Sequence, residues 1–427
     1  MENKSSSDKE FKWSKYNCVV QLENSKYVLY NTLTNNIVTI LESNIDILNK
    51  SLFDVKTTNI TFFNILKEKE FIVSKDYNEK EKAVLKLKSE TKESHFFELI
   101  INPTLNCNLK CWYCYEKHLK NTHISKETLN SIFIFIKNIV EQKDLEKLLI
   151  TFFGGEPLLE FNSSILEIIQ YAKKVCNKYN KKLTLSFVTN GTLLNSDIIN
   201  LLYMNEYDCT FQVTFDGNRK FHDATKKMAR VNSTFDIIIE NIMYTLSKGF
   251  KFIIRYNYTK DNFETFKDVT DIFTTYAEQS IKYKQIRFSY HRVWQDHDVK
   301  HIMHLPDNGV PDKNIQNSSF DICYADRENS VIINYDGKIY KCTARDFRED
   351  NSEGLLNKEG SIIYNSNMKK RMDIRYNNDN CVDCLIFPIC NICSQYCLEN
   401  INRNSGCLRN LSDNDKLHII LDRINVI

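Results

Sequence analysis

From Phe96 onward the chain alternates short apolar runs with amphipathic helical patterns, and this alternation restricts its fold more than any other feature. The strand-like runs are Phe97 to Asn102, Leu148 to Phe153, Leu183 to Thr189, Thr210 to Phe215, Phe252 to Tyr258 and Ile286 to Tyr290. Helical periodicity fills intervals between them at Lys126 to Gln142, Ser164 to Asn177, Phe235 to Ser247 and Phe263 to Tyr276. Repeated strand–helix–strand units require a parallel sheet with right-handed crossovers. Six of them predict an α/β fold, a partial (β/α)6 TIM-like barrel over residues 96–310. Chemistry in such folds gathers at the C-terminal ends of the strands.

At 427 residues the chain has room for further domains on either side of this barrel. Residues 1 to about 10 are polar and expected to fray. Strand-like runs at Lys15 to Leu22, Tyr27 to Thr32 and Ile37 to Leu41, with Asn35 and Asn36 as turn residues, precede two short helical stretches ending at Phe71 to Val73. This order predicts a small N-terminal winged-helix-like α+β module over residues 1–80, followed by a charged linker over 81–95. A cysteine-rich domain is expected over 311–427. Lys and Arg number 57 against 55 Asp and Glu, so net charge gives no reason to expect nucleic acid or an anionic membrane as partner. There is no signal-peptide apolar region and no apolar run long enough to span a bilayer, so a soluble cytoplasmic protein is expected.

A reducing cytosol turns the 14 cysteines from a disulfide framework into candidates for metal binding or catalysis. Cys107, Cys111 and Cys114 form CxxxCxxC on the loop leaving the first barrel strand. Three thiolates on one short loop suit an iron–sulfur cluster with one iron left open. The same thiols could hold a structural zinc with His118 or His123 as fourth ligand, or simply be buried. Glycine is scarce, at ten residues, yet Gly154 and Gly155, Gly191 and Gly217 follow the second, third and fourth strands. Turns alone would account for each; together on one rim they suggest a shared ligand. Glu156, between Gly155 and Pro157, reads as a fixed carboxylate aimed at a cation, against the alternative of an exposed charge.

With these motifs the sequence resembles the radical SAM superfamily. The resemblance implies that the open iron is chelated by S-adenosylmethionine (SAM). Tyr113 would lie against its adenine, and Gly154-Gly155-Glu156-Pro157 would meet its methionyl amine. Thr189-Asn190 of a TNG stretch would also border the cofactor. In sulfatase-maturing and peptide-modifying relatives a Ser-x-Asp-Gly stretch and a later His-Asp-x-x-Arg supply a hydroxyl and a guanidinium. Here Thr214, Asp216 and Gly217 are followed by His222, Asp223 and Lys226, so a lysine stands where the arginine is expected. Lysine keeps the charge and loses the planar fork. His222 itself reads as packed or capping as readily as catalytic.

Beyond the barrel lie Cys323, Cys342, Cys381, Cys384, Cys390, Cys393, Cys397 and Cys407, enough for two four-cysteine sites. A zinc ribbon would use the Cys381-x2-Cys384 pair equally well. The stretch resembles a SPASM domain, which implies two auxiliary clusters and three [4Fe–4S] clusters in all. Cys381, Cys384, Cys390 and Cys407 would hold the outer one; Cys323 and Cys342 with Cys393, Cys397 or both would hold the inner one. Cys18, Cys176 and Cys209 read as core residues.

The resemblance implies a peptide maturase that reductively cleaves SAM and uses the 5′-deoxyadenosyl radical to take hydrogen from a ribosomally made precursor peptide, forming a thioether crosslink. A one-electron reductant such as flavodoxin or ferredoxin would serve it, and the N-terminal module would bind a leader peptide by strand addition or act only as a cap. A sulfatase-maturing, formylglycine-forming enzyme is the alternative. It is disfavoured because Thr343 stands where such enzymes carry an aspartate directly after the second SPASM cysteine. A noncatalytic metal-binding scaffold is the alternative of another class. Asp346, His291 and His222 are possible bases, and no catalytic residue is assigned.

Overall fold

A computed structural model describes residues 11–22, 26–92, 94–279, 285–293, 295–296, 322–401 and 406–426. The expected fraying of residues 1–10 and the expected boundary near residue 310 lie outside them. The chain divides into two compact units, one of residues 1–92 with 370–427 and one of residues 93–369. Boundaries drawn from the sequence cross this division, because residues 311–369 fall with the barrel and 370–427 with the N-terminal module.

In the first unit the strands are β1 (Phe11–Trp13), β2 (Asn17–Leu22), β3 (Lys26–Asn31), β4 (Ile37–Leu41) and β5 (Ile72–Ser74). β2, β3 and β4 form an antiparallel meander whose second turn passes through Asn35 at φ 58°, a conformation asparagine tolerates. Helices Leu52–Thr58 and Ile60–Glu68 are capped by Ser51 and Asn59 side chains, and bury Val55, Phe63 and Leu66 against Leu29, Ile40, Phe71 and Ile72. The segment expected as a linker is helical at Glu79–Glu90. Its charged residues hide an apolar stripe: Ala83 and Leu87 pack with Tyr16, Leu33, Val382 and Phe387, and this burial orders it. The face of β2 and β3 that bears Val20, Val28 and Tyr30 packs on Ile386, Ile389 and Ile420.

The second unit holds β6 (Phe96–Asn102), β7 (Lys147–Phe152), β8 (Lys182–Thr189), β9 (Cys209–Phe215), β10 (Lys251–Tyr258) and β11 (Ile286–Arg292). They pair in parallel and in sequence order, as the strand–helix alternation predicts. Helices such as Lys126–Val140, Leu166–Lys178 and Thr234–Ser247 cover one face over Leu99, Ile150, Phe187, Val213 and Ile254. The opposite face is apolar around Ile100 of β6 and Ile332 of the strand beside it, and polar toward β9–β11. The register sets Thr214, Arg255 and Ser289 side by side across β9, β10 and β11.

The sheet continues past the sixth strand. β12 (Ser330–Asn334) lies parallel to β6, Ser330 opposite Glu98 and Asn334 opposite Asn102. β13 (Lys338–Tyr340), β14 (Gly354–Leu356) and β15 (Ile362–Tyr364) then add antiparallel, giving ten strands among the described residues. β12 is buried at every position, which explains its place inside the sheet. The molecule is an α/β protein with a large, mostly parallel sheet and a cysteine-rich C-terminal region.

Candidate active site

The loop leaving β6 carries Cys107, Cys111 and Cys114, and the turn after β7 clamps it. Gly155 N donates to Thr104 O at 3.2 Å and Glu156 N to Asn106 O at 2.8 Å. The contact is so close that a Cβ on Gly154 would stand 2.4 Å from Thr104 O, and one on Gly155 2.2 Å from Asn106 O. Gly154 also has φ +112°, so this turn admits no side chain at either position. An antiparallel bridge between Lys110 and Lys227 fastens the loop from the other side.

Cys107 and Cys111 are half-buried and Cys114 is exposed. Burial pushes Cys107 up to about 12 and Cys114 up to about 11, and the thiols raise one another further. Burial raises Cys111 too, opposed by the Lys226 ammonium. Such thiols stay protonated at neutral pH until a metal displaces the proton. His118 Nε2 is 3.3 Å from Cys114 Sγ. Among the described residues, no three His, Cys, Asp or Glu side chains gather as ligands of one metal ion.

Glu156 is fully buried, and its carboxylate is turned into the protein. Oε1 accepts from Thr189 Oγ1 (2.7 Å) and Leu158 N (3.0 Å), and Oε2 from Asn190 N (2.8 Å). Burial raises its pKa and these three donors oppose the rise. Glu156 therefore ties the end of β7 to the end of β8 and is no exposed charge. Asn190 passes the tie onward: its Nδ2 donates to Asn108 Oδ1 (2.8 Å), and its Oδ1 accepts from Thr192 N and Oγ1. Asn108, within the cysteine motif, was not singled out from the sequence; an amide between two ligand-type cysteines is the signal that could have marked it.

Asp216, just after β9, and Lys226, at the C-terminal end of helix Arg219–Thr225, form a buried ion pair at 3.8 Å, with side chains 2% and 5% exposed. Burial pushes Asp216 up, opposed by Lys226 and the Tyr113 phenol, yet neither carboxylate oxygen has a donor at full hydrogen-bond geometry. Asp216 and Tyr113 line a cavity of about 320 Å³ with Thr225, Asn257, Asn262 and Val293. Thr214 is half-buried on β9 beside Arg255 of β10. Burial lowers the pKa of Arg255, whose Nε donates to Asn257 Oδ1 (3.0 Å). His291 is pushed down to about 4 by burial and by that guanidinium. His222 is packed: it is 0% exposed between Phe215 and Phe235, with no partner at either ring nitrogen.

The arrangement fits an iron–sulfur cluster with SAM. Three thiols share one loop, the glycine turn leaves backbone room beside them, and a buried carboxylate with open lone pairs faces the adjoining cavity. Behind the loop, Tyr115 donates to Thr343 O (2.7 Å), Thr343 N donates to Tyr324 Oη (2.8 Å), and both Cys342 and Cys323 act on Tyr324. Half-buried Glu116 is pushed up to about 8 by loss of solvent and, less, by the Asp346 carboxylate. Sequence reasoning passed over Tyr115, Glu116 and Arg255, because nothing in their spacing marks them.

In the first unit, Cys381, Cys384, Cys390 and Cys407 line one cavity of about 810 Å³, where burial and the neighbouring thiols raise the pKa values of Cys381 and Cys384. Cys18 of β2 lines it as well, half-buried, so it is no simple core residue, unlike the buried Cys176 and Cys209. Cys397 is buried beside Ile392 and Leu408, and Cys393 is half-buried at the start of helix Ser394–Asn400. Cys323 and Cys342 belong to the second unit, Cys393 and Cys397 to the first.

Residues 101–273 match the radical SAM superfamily. A cysteine-type anaerobic sulfatase-maturating enzyme of Clostridium novyi is 24% identical over 356 residues, 74% of this chain and 89% of that protein. The radical SAM cyclopropyl synthase TigE of Paramaledivibacter caminithermalis is 26% identical over 340 residues, 70% of this chain and 67% of that one. The structure of anSMEcpe with bound AdoMet has a TM-score of 0.51 at 19% identity, covering 78% of this chain and 98% of its own, a likeness of fold.

Proposed function

We propose that this chain, an enzyme of the radical SAM superfamily, matures a ribosomally made precursor peptide, and that the bond it forms is a thioether crosslink. One observation carries the reading: the CxxxCxxC loop is locked against the Gly154-Gly155 turn at the C-terminal ends of the strands, beside a cavity lined by Tyr113 and Asp216. The similarity to a sulfatase-maturating enzyme supports a peptide or protein as substrate. Cluster and cofactor, when bound, supply one-electron cleavage of SAM and a carbon radical that takes hydrogen from the substrate.

The residues then divide the remaining work. Cys107, Cys111 and Cys114 hold the cluster, and the backbone at Gly154, Gly155 and Pro157 borders the methionyl end. Tyr113, Thr189, Asn190, Thr214, Asp216 and Lys226 shape the cofactor pocket, with Glu156 acting through Thr189 and Asn190. Two auxiliary clusters use Cys323, Cys342, Cys381, Cys384, Cys390, Cys393, Cys397 and Cys407. A flavodoxin- or ferredoxin-like protein delivers electrons. Leader peptide adds to β4, whose outer edge is unpaired among the described residues and ends at Leu41, 59% exposed.

The test is iron, sulfide and zinc per chain after anaerobic reconstitution, followed by 5′-deoxyadenosine production and mass spectrometry of co-expressed small peptides. About 12 iron atoms, and a peptide that loses a pair of hydrogens as its thiol is consumed, are expected. Zinc in place of iron at the C-terminal cysteines would sink the auxiliary-cluster part. A second reading, formylglycine formation, is favoured by the Clostridium novyi similarity; an aldehyde-reactive product would establish it in place of the thioether.

A further inference from the structure

The cysteine-lined cavity of the first unit has a buried cation beside it that the site as described does not use. The last turn of helix Ser366–Ile374 brings the chain there: Ile374 packs with Cys381, Cys390 and Cys397 around Ile392 and Leu408. Arg375 follows directly and is 3% exposed. Its Nη2 donates to the backbone oxygen of Cys390, which lines the cavity, and its buried Nε has no acceptor. Among the described residues, no carboxylate pairs with this guanidinium. One turn earlier Arg371, equally buried, donates to Oε1 of Gln395, between Cys393 and Cys397. Lys416, which also lines the cavity, differs in having its own acid, Asp413 Oδ1 at 2.9 Å. The carbonyls at a helix end offset only part of a full positive charge. A cation held out of water with no counter-charge is costly, so Arg375 calls for an anion close to Cys390. Four thiolates around a four-iron core make one, and it becomes more negative on reduction.

We propose that Arg375 is the counter-ion of the auxiliary cluster held by Cys381, Cys384, Cys390 and Cys407, and that it raises the reduction potential of that cluster. It touches no substrate and acts through the cluster, because an electron added there meets a positive charge in a medium of low dielectric. The inference rests on the reading of these four cysteines as cluster ligands.

The experiment compares the full-length chain with Arg375→Met, Arg375→Lys and, as control, Lys370→Met, which removes an exposed charge from the same helix. Each protein is reconstituted anaerobically and titrated with a reductant while its electron paramagnetic resonance is followed; the signal in question is the one that Cys384→Ala abolishes. Arg375→Met should shift its redox equilibrium toward the oxidised form at least about tenfold, a fall of about 59 mV for one electron. Arg375→Lys should recover most of this, and Lys370→Met should leave the potential in place. Thermal unfolding gives a second reading. The metal-free Arg375→Met chain lacks an unneutralised buried charge and should unfold at the wild-type temperature or above, whereas the reconstituted variant should unfold below reconstituted wild type. A merely structural bond to the Cys390 carbonyl predicts a loss in both states. An unshifted potential, or a metal-free Arg375→Met chain less stable than metal-free wild type, overturns the proposal. Should Arg375→Met take up no iron at these cysteines, iron uptake there by Arg375→Lys upholds the counter-ion and its absence overturns it. Zinc, or no metal, at these cysteines in the wild-type chain would instead overturn the auxiliary-cluster reading.

Discussion

Replacing Glu156 by Gln separates a structural tie from a ligand contact. The amide keeps the shape of the side chain and can accept at one oxygen only. If its oxygen takes the place of Oε1, the bonds from Thr189 Oγ1 (2.7 Å) and Leu158 N (3.0 Å) survive, and its NH2 then faces Asn190 N–H across 2.8 Å. The flipped rotamer keeps one bond and loses two. One charge-assisted bond is lost, about 1.5–3 kcal/mol, and a buried donor is left facing a donor, about 1–3 kcal/mol more. Part of this is returned, because burial already raises the pKa of Glu156 and Gln removes a costly buried charge. The expected net loss is about 2 kcal/mol, or about 4–8 °C in Tm for a unit of this size. Thermal unfolding of the metal-free protein measures it, and amide exchange at Asn190 should quicken. A Tm within about 1 °C of wild type together with a large loss of SAM affinity would refute the argument, since Glu156 would then be contacting the cofactor and not the loops.

Gly155→Ala forces a Cβ against the Asn106 carbonyl, backbone that cannot swing away, so about 3 kcal/mol of stability and most of the iron at the CxxxCxxC loop should be lost. Gly249→Ala, at φ +93° with nothing nearer than 3.8 Å, is the control and should cost about 1 kcal/mol with iron unchanged. His222→Leu removes two unpartnered buried ring nitrogens and should stabilise by about 1 kcal/mol with SAM cleavage retained; a folded variant that no longer cleaves SAM would restore a catalytic role to the histidine. Glu116 is raised from the ordinary 4.5 to about 8, so the folded state holds its proton more tightly than the unfolded chain. The stability it contributes is therefore full below about 4.5 and lost as pH rises through about 8; Glu116→Gln should flatten that fall in denaturant titrations at pH 6 and 8.5, and an unchanged slope would count against the buried acid. Cys384→Ala should remove about four iron atoms per chain on reconstitution, with the iron of the CxxxCxxC loop retained.

Much of the second unit was legible because its signals are local. Strand and helix periods follow from backbone geometry, so all six parallel strands stand within a residue or two of their sequence-read bounds. Three thiols within eight residues must share a loop wherever that loop lies, and glycines at close backbone approaches announce themselves by type. Where the signal was a charge pattern, it left linker and helix both open. Residues 79–90 look solvated, and only packing on Val382 and Phe387, about 300 residues away in sequence, makes them a buried-face helix.

The sequence by itself determined the strand–helix order, the cysteine loop and the glycine turn that receives it. Only the tertiary structure decided that Ser330–Asn334 extends the barrel sheet beside β6, that Cys18 shares a cavity with four C-terminal cysteines, and that Glu156 faces inward. It also decided that Lys226 pairs with buried Asp216 and that Arg255 stands beside Thr214 in the sheet. Spacing along a chain fixes what short loops and single elements can do. Which distant groups neutralise one another depends on burial and on strand pairing across the sheet, and neither is written at any one position.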